Sequence, residues 1–289
     1  MITDGSLLSL PSSRRRCPVD EGWSTVVAGS PDDETKAPRA PRHRPDTRRP
    51  QKVSLAIAQQ IVDDITDDKL TPGTKLATER DMMARFETGR GTLREALRFL
   101  EMNGAIRVKA GPQGGPIVTE PDAHDLAGVL GLFLQLKAMP FKALVSAREV
   151  LEPEVAALAA EAKNEELIAD IADSIAGMRE NLDDEQNFLA ENDRFHSAVA
   201  AAAGNELFAL LITSLHLITD GMPLGVSYPL ARRKSVLQAH EAVHDAISTG
   251  DAEGARWAMR RHMREFRRYV AEKFPLVYER PVRWREIAP

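Results

Sequence analysis

The chain has 289 residues, 43% hydrophobic and 5% aromatic, with a formal net charge of −5. It is long enough for about two domains of ~150 residues, and its Ala- and Leu-rich, aromatic-poor composition favours helix over sheet. No apolar run approaches the ~20 residues needed to cross a bilayer. The N-terminal apolar stretch precedes the basic one, the reverse of a secretory leader, and the single Cys17 excludes a disulfide framework or a cysteine zinc cluster. A cytoplasmic protein with no membrane segment is expected. The charge is uneven, with nine Lys/Arg against seven Asp/Glu over 1–50, ten against ten over 51–120, and 19 against 26 beyond. The acidity therefore lies in the C-terminal part, and a basic face remains available upstream.

Residues 1–50, ending APRAPRHRPDTRRP, mix Pro, Arg, Ser and Asp with almost no apolar periodicity. Such a segment cannot bury enough surface to offset its ordering entropy, and a disordered Arg/Pro-rich tail is expected. Its arginines either add non-specific attraction to phosphate or are simply solvated. From Ser54, Ile57, Ile61, Val62 and Ile65 recur at helical spacing up to the Pro72-Gly73 turn. Thr78 is placed to cap a second helix, Glu79 to Phe86, and a third runs from about Arg90 to Met102 before the Asn103-Gly104 stop. Ile106–Lys109 and Ile117–Thr119 flank GPQGG as short strands around a hairpin tip. Together, residues 51–119 have the layout of a winged helix-turn-helix, with the helix-turn-helix at about 79–98.

Beyond Pro121 the chain is almost continuous helix. Spans of 123–137, 141–162, 165–180, 185–203, 206–220, 229–249 and 252–273 are predicted, with Pro140 and Pro229 at starts and Gly204 and Gly250 at breaks. The fold class is therefore mainly α: an N-terminal winged helix-turn-helix with a small β-wing, then an all-α antiparallel bundle over about 124–272 and a tail at 273–289.

In the third helix Leu93, Ala96, Leu97 and Leu100 form one apolar stripe, which must face the other two helices. Arg90, Arg94 and Arg98 lie at i, i+4 and i+8 on a flank roughly 110° away. Arginines at the first turns of an exposed helix suit a major-groove reader, because guanidinium can chelate guanine O6 and N7 and helix N-terminal amides can meet phosphate. Gly89 and Gly91 leave the backbone uncovered for close approach. Arg80 opens the second helix, and Lys109 and Gly111 lie where a wing would meet the adjacent groove. On one helix alone the arginines would read equally as a solvated face; the turn, the upstream helix and the wing favour DNA.

The stretches LTPGTKLATER, GRGTLREALRFLEMNG and VKAGPQGG resemble the winged helix-turn-helix of the GntR family, over residues 51–119. The resemblance implies DNA contacts from Arg80, Arg90, Arg94 and Gly111. At two further contact positions the family usually has small hydroxyl residues, where this chain has Gly89 and Gly91.

Three of the seven histidines stand in notable surroundings. Asn192 and His196 are i,i+4, so both leave one helix face, while His240 and His262 lie on separate helices joined through Gly250. If the bundle brings them together, three imidazoles and an amide oxygen suit zinc, nickel or a similar divalent ion; by spacing alone, surface or singly hydrogen-bonded histidines fit as well. The sequences SAREVLEPEVAALAA, NDRFHSAVAAAAGN and HEAVHDAISTGDAEGARWAMRRH are similar to the helical ligand-binding (FCD-type) domain of the FadR subfamily. That resemblance implies a divalent metal at Asn192, His196, His240 and His262, with Asn192 standing where a carboxylate is usual. Asp193 lies 100° around the helix and cannot simply substitute. His244 is expected to be an outer neighbour or exposed. Arg148 precedes Glu152 by four residues and reads as an ordinary intrahelical pair, worth only ~0.3–0.5 kcal/mol. In the resembling family this arginine often faces the cavity, where it can grip an effector carboxylate.

The expected protein is a ligand-responsive, homodimeric transcription regulator, not an enzyme. It would read a palindromic operator in double-stranded DNA and bind a small carboxylate effector in its bundle. A metalloenzyme with a DNA-binding appendage is the competing reading, since three histidines with an open position can activate water. Against it, the sequence shows no nucleophile motif and no evident general base beside these histidines. A purely structural scaffold leaves the arginine-bearing helix unexplained.

Overall fold

A computed structural model describes residues 48–111, 114–219 and 225–287. The first helix, α1, spans Arg48–Asp67 and buries Ile57, Ala58 and Ile61 along one face. It begins inside the segment expected to be tail; the remainder of that expectation lies outside the described residues. Helix α2, Glu79–Arg85, starts at Thr78, whose hydroxyl accepts from the Asp81 amide. Helix α3, Arg90–Met102, buries Leu93, Ala96, Leu97 and Leu100. These residues close a small core with Ile57, Ile61, Met82 and Ile106.

Strands β1, Ile106–Lys109, and β2, Gly115–Val118, form an antiparallel wing in register Ile106 to Val118 and Lys109 to Gly115. The second strand begins two residues before the expected Ile117, because Pro116 pairs with Val108 despite lacking an N–H. In this small wing its carbonyl accepts from the Leu76 amide instead. Gly111 has φ +107°, a left-handed conformation that only glycine adopts without strain.

The helical domain follows as α4 (Ala123–Leu136), α5 (Phe141–Ala162), α6 (Glu165–Glu180), α7 (Glu185–Ala202), α8 (Glu206–Thr219), α9 (Leu230–Ser248) and α10 (Ala252–Lys273). Side-chain caps from Asp122, Asn164, Asp184 and Asp251 set four of the starts. Helix α5 packs along α10, α6 along α7, and α9 along α10, around a core that includes Phe141, Met178, Phe188, Phe195, Met259 and Met263. At the α9–α10 turn Gly250 has φ +73°, and a Cβ there would meet Lys163 Cε at 2.8 Å. The positive φ favours glycine, while the Lys163 side chain could swing aside, and the tight turn aligns the two helices that carry His240 and His262.

The C-terminal stretch is not a plain tail. Helix α11, Pro275–Glu279, and a 3-10 turn at Trp284–Glu286 fold back onto the bundle. Val282 is buried and its amide donates to Met139, while Phe141 donates to Arg280. Only isolated apolar residues mark this segment, too short a pattern to show helical periodicity. No helix among the described residues is long and apolar enough to cross a membrane.

Candidate functional site

The helix-turn-helix and wing expose the candidate DNA-contacting residues. Arg80, Arg90, Arg94, Arg98, Lys109 and Gly111 are all exposed. The Arg94 Nε donates to Glu79 Oε2 at 3.1 Å, which steadies the guanidinium across α2 while the side chain stays 61% exposed. An Arg85–Asp64 pair ties α2 to α1, with Nη2 donating to Oδ1 at 2.8 Å. Gly89 caps α3 without a side-chain acceptor, so the first-turn amides have no side-chain partner there and can meet a phosphate. A Cβ built on Gly89 or Gly91 touches nothing within 4 Å. Packing therefore does not require these glycines, and hydroxyl residues at these two positions would fit the same fold.

The second site lies inside the bundle. His196 on α7, His240 on α9 and His262 on α10 are all buried, and one nitrogen from each lies within 4.8 Å of the others. The Nε2 atoms of His240 and His262 are 3.2 Å apart. Two ligands on a tetrahedral zinc, with Zn–N of 2.0–2.1 Å, stand about 3.3 Å apart, so this spacing suits a shared cation. The Phe195 ring stacks on His240 at 3.7 Å and 7°, fixing its plane. Asn192, also buried, lines the same cavity. His244 lies outside the cluster, beside Asp245.

Hydrogen bonding selects the tautomers. His196 Nδ1 is 2.6 Å from Glu152 Oε2, and an ionised carboxylate only accepts, so Nδ1 carries the proton and Nε2 keeps its lone pair. His240 Nδ1 lies 3.3 Å from Met178 Sδ, a weak acceptor, and its Nε2 shares one proton with His262 Nε2, a proton that a bound cation would displace. Burial pushes His196 down to about 4, against the pull of the Glu152 carboxylate. Burial, then the neighbouring imidazoles, holds His240 and His262 well below the ordinary histidine value. All three are thus neutral at pH 7, the form that ligates a metal. For Glu152 burial acts upward, but Arg148 and His196 outweigh it and hold the carboxyl well below the usual range. Since His196 is itself neutral at pH 7, this contact is an imidazole N–H donating to a carboxylate rather than a pair of full charges.

Packing adds contacts around two residues of α5. A carboxylate does stand beside the histidines: Glu152, brought from α5 by packing, accepts from Arg148 Nε at 2.5 Å and from His196. Both oxygens are engaged, so it orients His196 and is no free base. Arg148 forms the expected i,i+4 pair with Glu152, but at 3% exposure rather than in solvent, and its Nη1 also donates to Thr219 Oγ1 at 2.7 Å. It lines the cavity with part of its fork already committed.

Comparison with known proteins gives the same two-part division. Residues 53–113 match the family described as "Bacterial regulatory proteins, gntR family", and residues 143–265 match the "FCD domain". The chain carries a GntR-type helix-turn-helix domain followed by an FCD domain.

Among relatives of this chain, the HTH-type transcriptional repressor NanR of Citrobacter rodentium is 29% identical over 233 residues, covering 78% of this chain and 87% of NanR. The HTH-type transcriptional regulator LutR of Bacillus subtilis is 29% identical over 204 residues, covering 69% and 92%. The solved structure of Streptococcus agalactiae GntR superposes with a TM-score of 0.57 at 22% identity, covering 74% of this chain and 99% of that one, and shares the fold. The protein is a DNA-binding transcription regulator with an effector-binding helical domain.

Sequence reading missed two residues of this bundle site. His216 on α8 is buried with its ring 4.5 Å from that of His196. Arg232 on α9 lines the same cavity. Neither lies in a stretch quoted for the resemblance, and a lone histidine in the apolar run LLITSLHLIT gives no local sign of its partner. That partner is Asp193, whose Oδ1 lies 2.9 Å from His216 Nδ1. The attraction of His216 outweighs burial and lowers the Asp193 carboxyl.

Proposed function

We propose that this protein is a GntR-family, FadR-subfamily, homodimeric, cytoplasmic regulator that reads a palindromic operator and answers to a small organic acid. Arg80, Arg90, Arg94 and Gly111 are assigned the DNA contacts. His196, His240 and His262, with the Asn192 amide oxygen, are assigned a divalent ion such as zinc or nickel. Arg148 contributes positive charge at the wall of the effector cavity. The observation that carries this reading is the buried set of three neutral imidazoles with one nitrogen each in mutual reach, Glu152 holding the His196 Nε2 lone pair free. Bound there, the ion would supply an electrophilic centre for a carboxylate oxygen. The residues themselves fix the ring orientations and exclude bulk water. Glu152 has no free oxygen to act as a base, which favours a sensor over a hydrolase.

Helix α8 offers a physical link from this cavity towards the DNA reader. It carries His216 and Thr219 at the cavity wall, and its Ser214 Oγ lies 3.0 Å from the Ala123 carbonyl at the start of α4. Within the same turn of α4, Asp125 packs against Gly104 at the end of α3, where a Cβ would meet its Oδ2 at 2.1 Å. An effector can shift DNA affinity only by its differential affinity for the two states. The test is fluorescence anisotropy on duplexes selected from random sequence, with and without zinc and a panel of small carboxylic acids. Selected sites with two-fold symmetry and an acid-dependent change in affinity are expected. Equal affinity for selected and random duplexes would defeat the operator assignment, and turnover of any panel acid would restore the enzyme reading.

A further inference from the structure

The bundle cavity contains polar groups that the metal assignment does not use. Arg232, the third residue of α9, lies on its wall with the guanidinium carbon 4.7 Å from the centre of the Tyr269 ring. Its Nε and Nη2 atoms are buried without a hydrogen-bond partner. These two nitrogens form one edge of the guanidinium, the edge that takes both oxygens of a carboxylate side-on. His216, on the same wall, also lacks an aligned partner at Nδ1, because Asp193 Oδ1 is close but out of line. Arg148, by contrast, has already given Nε to Glu152 and Nη1 to Thr219. Buried donors in folded proteins are nearly always satisfied, and a guanidinium edge with no acceptor from the protein is matched by water or, with its charge, better by an anion.

We propose that Arg232 is the anchor of the effector's carboxylate, holding its two oxygens along the Nε–Nη2 edge with His216 as a flanking polar group. The inference rests on the reading of the bundle as an effector site, and gives that site a donor distinct from the metal ligands. The cavity has a volume of about 20 Å³, room for roughly one water. A carboxylate head can replace that water, but the rest of an acid enters only by moving part of the wall. Arg232 and Asp193 are among the less buried lining residues and form the side that can yield. Asp193 on the same wall opposes an anion, so the guanidinium must outweigh that carboxylate.

The probe is acetate, the smallest common organic carboxylate after formate, against chloride and phosphate at equal ionic strength. Thermal unfolding midpoints of the full-length protein are read with zinc present and again after chelation. Acetate should raise the wild-type midpoint relative to chloride, since a ligand of the folded state stabilises by mass action. Arg232→Gln should lose at least half of that rise, and Arg232→Lys should recover part of it. The exposed-charge control Arg179→Gln, from the surface Arg179–Glu241 pair, should respond as wild type. Zinc content by elemental analysis and circular dichroism accompany each variant. A full acetate response in Arg232→Gln, no response in wild type, or a larger response to phosphate would each overturn the assignment. Loss of zinc uptake by wild type with the Arg232-dependent acetate response intact would defeat the metal reading and leave this one standing.

Discussion

Replacing Glu152 by glutamine tests the bundle site at the point where its chemistry is most constrained. The wild-type carboxylate is 2% exposed and accepts from Arg148 Nε at 2.5 Å and His196 Nδ1 at 2.6 Å. Glutamine keeps the shape but has one accepting oxygen and one donating NH2. Because Arg148 can only donate, the oxygen goes to Arg148 and the NH2 faces His196. Nδ1 must then accept, the proton moves to Nε2, and the lone pair that faces the cluster is lost. Altering such an outer partner of a metal-binding histidine typically costs 10–100-fold in metal affinity. The Arg148 guanidinium also loses its charged partner at a 3% exposed position, and breaking a buried pair in this way costs about 3–5 kcal/mol. Zinc competition against a chromophoric chelator and urea denaturation of the chelated protein measure the two effects separately. Zinc affinity within twofold of wild type, with the fold intact, would refute the tautomer argument.

Four other outcomes are expected. Arg94→Ala should weaken binding to a selected operator by about 1–3 kcal/mol while sparing random duplex; equal losses on both, by anisotropy, would show that Arg94 touches only phosphate. His196→Ala should abolish stoichiometric zinc by elemental analysis, and Asn192→Asp should tighten it by restoring a carboxylate; unchanged content in the first or unchanged affinity in the second contradicts the ligand set. In zinc-stripped protein, the unfolded chain gains the His196 proton near pH 6.5, whereas the folded chain resists it down to about 4. His196 faces Glu152 and Arg148 from α5, Asp193 on its own helix, His216 from α8, His240 from α9 and His262 from α10. Its contribution is therefore complete above pH 6.5 and lost as pH falls towards 4, about 3 kcal/mol at 1.36 kcal/mol per unit. The lowered His240, His262 and Glu152 add in the same direction; flat urea midpoints between pH 7.5 and 5 would count against it. Finally, Leu93→Ala, at a position 0% exposed, should cost about 2–5 kcal/mol and remove duplex binding by unfolding the reader, visible as lost ellipticity.

The linear order of the fold was readable because its signals are local. Apolar residues at helical spacing, Pro140 and Pro229 at starts, and Gly204 and Gly250 at breaks located seven bundle helices to within a residue or two of their observed ends. The Leu93–Leu100 stripe fixed which side of α3 is buried, and thus that Arg90 and Arg94 face outward. The ends were less legible. Arg48 already belongs to α1, and α11 follows α10, because single turns and lone residues such as Val282 have no period to detect.

The chemistry of the bundle depends on information that no local pattern contains. Whether His196, His240 and His262 meet depends on the rotational phase of three helices about their own axes, and an error of one residue turns a side chain by 100°. The phases bring Glu152 from α5 under His196, set Met178 behind His240, and turn Asp193 to His216. They also leave the Nε–Nη2 edge of Arg232, a residue of the cavity wall, buried without an acceptor. Helix positions follow from nearest-neighbour periodicity, whereas tautomers, lone pairs and unpaired donors follow from contacts between residues 20 to 70 positions apart. Those contacts exist only once the core has packed.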